Sequence, residues 1–170
     1  MIAILVALLS NIRMMNLQSF TIRVYGILMD SVKGILISDE QENGIRFTKF
    51  PGGGLELGEG VRDCLLREWK EELDQPIEII HHLYTTDFFQ RSAFHPDKQV
   101  ISIYYRVKAL GNAKVKISTA AFDFPKELDP AQSFRWIQWK DFSEDLMTFP
   151  IDKLVAGIVR SFDKEIREEI

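Results

Sequence analysis

Apolar and polar positions along this chain follow the short period of strands, change to the period of a helix over 61–73, return to strands, and end in helices. Residues 19–28 are rich in β-branched and aromatic side chains, which predicts a strand. Residues 32–38 predict a second strand, followed by a polar loop over 39–44 whose Asn43-Gly44 pair is a turn signal. Residues 45–50 form a short third strand that delivers the chain to Pro51. Val61, Leu65, Trp69 and Leu73 then recur every four residues, the apolar stripe of a packed helix, and Pro76 ends that helix. Asp74, just before it, is among the residues that visit left-handed backbone most readily. Residues 77–89 and 100–110 read as long strands, with a loop over 90–98, and 134–139 as a late strand. Residues 141–146 and 151–166 read as helices, the second with Pro150 at its start. The order β-β-β-α-β-β-β-α implies an α/β fold, a mixed sheet with helices on its faces.

The chemistry concentrates where the strand period gives way to the helix. Three glycines, Gly52 to Gly54, allow a tight entry and a close approach of backbone to a ligand. On the helix, Glu68, Glu71 and Glu72 are spaced i, i+3, i+4 and share one face. Like charges at those spacings cost an isolated helix about 0.2–0.5 kcal/mol per pair, so the cluster needs something positive to receive it. Hard divalent cations with oxygen ligands are the obvious candidate. A solvated acidic helix is the bland alternative, and the apolar stripe beside the carboxylates argues against it. That stripe also places Glu72 at the edge of the core.

Gly53, five residues, Glu59, seven residues and then Arg67-Glu68-Trp69-Lys70-Glu71-Glu72 resembles the Nudix box of the MutT-like pyrophosphohydrolases. The preceding Pro51-Gly52 is also usual there. Trp69 at an aliphatic position, Asp74 for the closing Gly and Gln75 for the last apolar residue depart from the pattern, and none of them removes a carboxylate. The resemblance implies a Nudix-type α/β/α sandwich and hydrolysis of a pyrophosphate bond in a nucleoside diphosphate linked to another moiety, with Mg²⁺ or Mn²⁺. It further implies that Glu68, Glu71 and Glu72 bind metal with the carbonyl of Gly52, that Arg67 orients a neighbouring carboxylate, and that Glu59 supports the site. The general base is a box Glu in some relatives and a distant loop carboxylate in others. Here the loop over 118–132 offers Asp123, Glu127 and Asp129, with no choice among them. Signatures of the ADP-ribose, dinucleoside polyphosphate and NADH groups are not found, which points toward a nucleoside triphosphate or a sugar nucleotide. A nucleotide-binding sensor without turnover is the alternative. Isopentenyl diphosphate isomerase chemistry shares the fold, but its Cys and Glu pair is not evident.

Composition adds limits. One hundred and seventy residues suit one domain over 17–170, preceded by an apolar segment over 1–16. That segment is too short to span a membrane and lacks the positive start of a secretory signal. It reads either as a start-site artefact ahead of Met14 or Met15, or as an extension packed on the domain or on a second subunit, which leaves a homodimer among the expected partners. A net charge of −4 gives no support to a nucleic-acid surface, so the expected partner is a small nucleotide-type substrate, with neither nucleic acid nor membrane. The single cysteine, Cys64, excludes an intrachain disulfide and suits a cytoplasmic protein. Its position in the box is a variable one, which argues against a catalytic thiol. Phe88, Phe89, Phe94 and Phe124 are candidates to stack a base, though core packing is the commoner role. Arg23, Arg46, Lys49 and Arg106 are candidates to contact phosphate, though surface solvation is the commoner role for each. His81, His82 and His95 do not have metal-ligand spacing.

Overall fold

A computed structural model of the chain describes residues 17–111 and 116–161. The apolar segment over 1–16 and the end of the last expected helix lie outside the described residues. Seven strands form one mixed sheet: β1 (Ser19–Asp30), β2 (Gly34–Glu42), β3 (Ile45–Lys49), β4 (Gly52–Gly54), β5 (Ile77–Thr85), β6 (Lys98–Ala109) and β7 (Ala131–Ile137). Among the described residues two helices accompany them, α1 (Val61–Leu73) and α2 (Pro150–Ser161). The strand β1 is the pivot. It runs parallel to β6 along its length, while its other edge takes β4 at Arg23–Tyr25 and the start of β2 at Met29–Asp30. Further on, β2 lies between β3 and β7, antiparallel to both.

The period of two along β1 sorts its side chains to two cores. Tyr25, Ile27 and Met29 face one side and pack with Ile151, Val155, Ala156 and Val159 of α2. Val24 and Leu28 face the other and pack with Cys64, Leu65, Trp69 and Leu73 of α1. One helix on each face of the sheet is the expected α/β/α sandwich. Among the described residues no helix is long and apolar enough to cross a membrane.

Three expectations need correction. The polar segment 39–44 is not a loop: β2 continues to Glu42, and only Asn43 and Gly44, both at positive φ, make the turn. Asp39 can be buried in a strand because Arg135 donates to it at 2.5 Å and Thr48 at 2.6 Å. The triglycine segment is a strand, β4, as well as a loop, because Gly52–Gly54 fill the edge of β1 that the diverging β2 leaves open. Residues 141–146 form only a 3-10 turn at Glu144–Leu146, since Phe142 and Met147 turn into the core and leave no helical stripe. The helix α1 ends as expected on Asp74, left-handed with φ 46°.

Candidate active site

The glycine segment is forced close to the sheet. Gly52 has φ 135°, and a Cβ there would strike the carbonyl of Val24 on β1. The chain leaves β4 with Leu55 N–H donating to Ile22 O at 2.9 Å, turns, and enters α1 after Gly60. Arg67, two turns into the helix, ties helix and turn together. Its Nη2 and Nε bind both oxygens of Glu59, at 2.7 and 3.1 Å, and Nη2 also donates to Gly54 O at 3.0 Å. Its Nη1 donates to Glu68 at 3.0 Å and to Glu71 at 3.2 Å. Such charge-assisted, bidentate bonds hold the Glu59 carboxyl down to about 2, and keep the guanidinium charged at any ordinary pH. Arg67 thus gathers Glu59, Glu68 and Glu71 around one cation. The side chain of Glu71 is 61% exposed, whereas that of Glu68 is 13% exposed and lies against Gly53.

Glu72 is outside that group and faces inward. Burial pushes its carboxyl above the usual carboxylate range, and the nearby Lys49 charge only partly offsets this. One oxygen, Oε2, is buried without a hydrogen-bond partner. Lys49 itself is 2% exposed. Its Nζ donates to Gly52 O at 2.6 Å, pairs with Glu40 Oε1 at 2.8 Å, and lies 5.4 Å from the centre of the Tyr25 ring. Burial works against the Lys49 charge, but Glu40, Glu72 and Tyr25 outweigh it and hold the ammonium above its ordinary range. Burial works against the Glu40 charge too, and Lys49 together with donation from Ser38 and Gln132 outweighs it.

Beside this group opens a cleft of about 160 Å³. Phe47, Phe94 and Phe149 wall it, with ring centres 5.2–6.1 Å apart. Arg23, Lys49 and Lys98 supply positive charge. Two buried groups line it as well: Tyr104, whose hydroxyl donates to Asp152 at 3.0 Å, and Asp152, whose carboxyl burial pushes up to about 7.

The donors suit a hard divalent cation. Glu68 and Glu72 stand one turn apart on one helix face, and the unpartnered buried oxygen of Glu72 is of the kind a cation satisfies. Among the described residues no three acidic, histidine or cysteine side chains are placed to hold a metal ion together as they stand. Mg²⁺ does not require that, since it typically takes one or two carboxylates and fills its shell with water and substrate oxygens.

Residues 20–157 match the NUDIX domain. The chain belongs to that family. Among its relatives, an RNA pyrophosphohydrolase of a Nitratiruptor species is 28% identical over 123 residues, which cover 69% of this chain and 74% of the relative. Two solved structures share the fold. The E. coli ORF135 protein superposes with a TM-score of 0.60 at 15% identity, covering 86% of this chain and 91% of that one. A MutT protein from Methanosarcina mazei Go1 gives 0.59 at 19% identity, covering 87% and 96%. As a NUDIX member this chain is a hydrolase acting on pyrophosphate bonds.

Several sequence candidates change standing in this NUDIX fold. Lys49 is buried and Arg23 half-buried, and both line the cleft instead of standing as solvated surface charges. Phe94 lines the cleft, while Phe88 and Phe89 are exposed and Phe124 packs with Phe122 under Arg46. Asp129 accepts the backbone N–H groups of Asn43 and Gly44 at 2.9 and 2.6 Å, so it braces the β2–β3 turn. Cys64 is buried and its thiol is pushed up to about 12, which leaves no thiolate for catalysis. Glu40, Tyr25 and Asp152 were not foreseen. A strand reading of residues 39–42 would have found Glu40, because counting back from the Asn43-Gly44 turn puts it on the same face as Lys49.

Proposed function

We propose that this NUDIX hydrolase cleaves a pyrophosphate bond in a nucleoside diphosphate linked to another moiety, a nucleoside triphosphate or a sugar nucleotide, with Mg²⁺ or Mn²⁺. The observation that carries this reading is the cleft. Its volume of about 160 Å³ is well below the roughly 300–1,000 Å³ of sites that engulf a drug-sized ligand. It suits one ring system against the three phenylalanines and leaves the phosphates outside, where Lys49 joins the cleft to the Gly52 loop.

In this reading Glu68 and Glu72 hold the cation, and Glu71 assists from the exposed side of the same helix. Arg67 keeps Glu68 aimed, and Glu59 fixes Arg67 by its two hydrogen bonds. When bound, the cation would neutralise phosphate oxygens that otherwise repel the nucleophile and would make a coordinated water more acidic. Arg23 and Lys98 would neutralise phosphate from the cleft side.

A triphosphate at the 5′ end of RNA presents the same chemistry, and the Nitratiruptor relative carries the name RNA pyrophosphohydrolase. The test is therefore phosphate and pyrophosphate release across (d)NTPs, sugar nucleotides, ADP-ribose, dinucleoside polyphosphates and a 5′-triphosphorylated oligoribonucleotide, with Mg²⁺ and with Mn²⁺. Metal-dependent release from a nucleoside triphosphate or sugar nucleotide is the expected result. Release from the oligonucleotide alone would move the assignment to RNA ends, and release without added metal would overturn the cofactor.

A further inference from the structure

Lys49 occupies a place that oxygen-binding cations compete for. Its ammonium sits on the Gly52 carbonyl at 2.6 Å, in the loop segment that leads to the box carboxylates, and is paired with Glu40 at 2.8 Å. It is held there on every side. Glu40 is fixed by Ser38 Oγ at 2.7 Å and Gln132 Nε2 at 2.9 Å, the Tyr25 ring covers the ammonium, and the side chain is 2% exposed. The β2–β3 register sets the pair. Lys49 stands opposite Ser38, and Glu40 is its diagonal neighbour on the same face.

Resting on the metal reading given above, we propose that Lys49 is a built-in cation that takes the place of a divalent ion at the Gly52 carbonyl. The metal then binds through the box carboxylates alone. The conflict between the two cations is electrostatic. A divalent ion on the same carbonyl oxygen would share one ligand atom with a fixed positive charge in a site that excludes water, where repulsion is poorly screened. Lys49 cannot step aside cheaply, because Glu40, whose side chain is 15% exposed, and Glu72, whose Oε2 is buried, would then be partly desolvated without their compensating charge. Lys49 also lines the cleft, so a diphosphate running from cleft to carboxylates passes a positive charge that needs no metal to supply it. A further consequence is that fewer metal equivalents suffice for the same neutralisation.

The test uses the whole wild-type chain. Crystals soaked in MnCl₂ and read by anomalous scattering are expected to show Mn²⁺ on Glu68 or Glu72, none on the Gly52 carbonyl, and Lys49 in place. Titration of Mn²⁺ followed by EPR then compares wild type with Lys49→Met/Glu40→Gln. That variant removes both charges of the ion pair together and leaves Glu72 alone without its nearby cation. The double variant should bind one more equivalent of Mn²⁺, or bind it at least tenfold more tightly. Mn²⁺ on the Gly52 carbonyl of the wild type, or an unchanged count and affinity in a folded double variant, overturns the proposal and leaves the metal reading standing. Absence of Mn²⁺ from the wild type overturns both. Should the double variant not fold, the wild-type scattering decides by itself.

Discussion

The carboxyl of Glu68 rests directly on Gly53, so closely that a Cβ at that position would overlap it. The backbone of Gly53 is not left-handed, and its glycine is required by this contact and not by its own conformation. Spacing in the box thus encodes a contact: the first glycine is the surface on which the first helical carboxylate lies. Gly53→Ala should therefore leave the fold intact, with a melting temperature close to wild type, while displacing Glu68 from its bond to Arg67. Since partners that orient a metal ligand typically contribute 10–100-fold to affinity or activity, Mn²⁺ affinity should fall within about that range. Unchanged Mn²⁺ affinity by calorimetry would show that Glu68 does not ligate.

The tryptophan at an aliphatic box position has a partner in the sheet it packs on. Trp69 is fully buried, and its indole lies where a Cβ of Gly26 would be. Gly26 faces α1 between Val24 and Leu28, so its missing side chain makes the room that Trp69 fills. Gly26→Ala should cost about 1–3 kcal/mol by overpacking, and Trp69→Leu about 2–5 kcal/mol by the cavity it leaves. Combined, the two should cost at least about 1 kcal/mol less than their sum. Urea denaturation of the four proteins measures this coupling, and strict additivity would refute the contact.

What was legible in the sequence was local. The carboxylate face, the apolar stripe and the stop at Asp74 all lie within one helix, where a period of 3.6 converts spacing into geometry. The Lys49–Glu40 pair was hidden for a definite reason. Residues 39–42 are polar because their partners are Arg135, Thr48, Lys49 and Gln132 on neighbouring strands, and without those partners the segment reads as loop. The cleft was out of reach for the same cause. Phe47, Phe94 and Phe149 come from a strand, a loop and the approach to α2, and only the tertiary fold brings them together.

Asp152 gives the fold a pH signature. In the folded chain burial holds its carboxyl at about 7 against an ordinary 3.8, despite donation from Tyr104 and the charges of Lys49 and Arg23, with Glu40 adding to the rise. A carboxyl raised in the folded state is neutral there while the unfolded chain already carries the charge. Its contribution therefore favours the fold below about pH 4 and is progressively lost as pH rises to about 7. Asp152→Asn keeps an acceptor for Tyr104 and does not titrate. The variant should match wild type near pH 4 and be more stable at pH 8 by on the order of 2–4 kcal/mol. Equal dependence of Tm on pH in the two proteins would show that Asp152 is ionised in the fold.

Glu72 and Glu71 differ in a way that separates function from stability. Glu72 is desolvated, its carboxyl is raised, and Oε2 has no partner, so in the absence of a cation its charge opposes folding. Glu71 is largely in solvent and bound to Arg67. Both substitutions to Gln should lower turnover, by at least about 100-fold for Glu72→Gln if a direct ligand costs at least as much as an outer one. Only Glu72→Gln should also stabilise the metal-free protein, raising Tm by roughly 2–4 °C, about 1 kcal/mol for a domain of this size. The sign follows from the raised carboxyl: the gain is present at pH 7 and above, and vanishes at low pH, where Glu72 is neutral in both the folded and the unfolded chain. Added Mn²⁺ should reverse the order, stabilising wild type more than the variant by mass action. Calorimetric melts with and without Mn²⁺ read both effects. A Glu72→Gln protein that melts lower than wild type without metal would mean that Lys49 already satisfies Glu72, and would remove the strain on which its role as a ligand was argued.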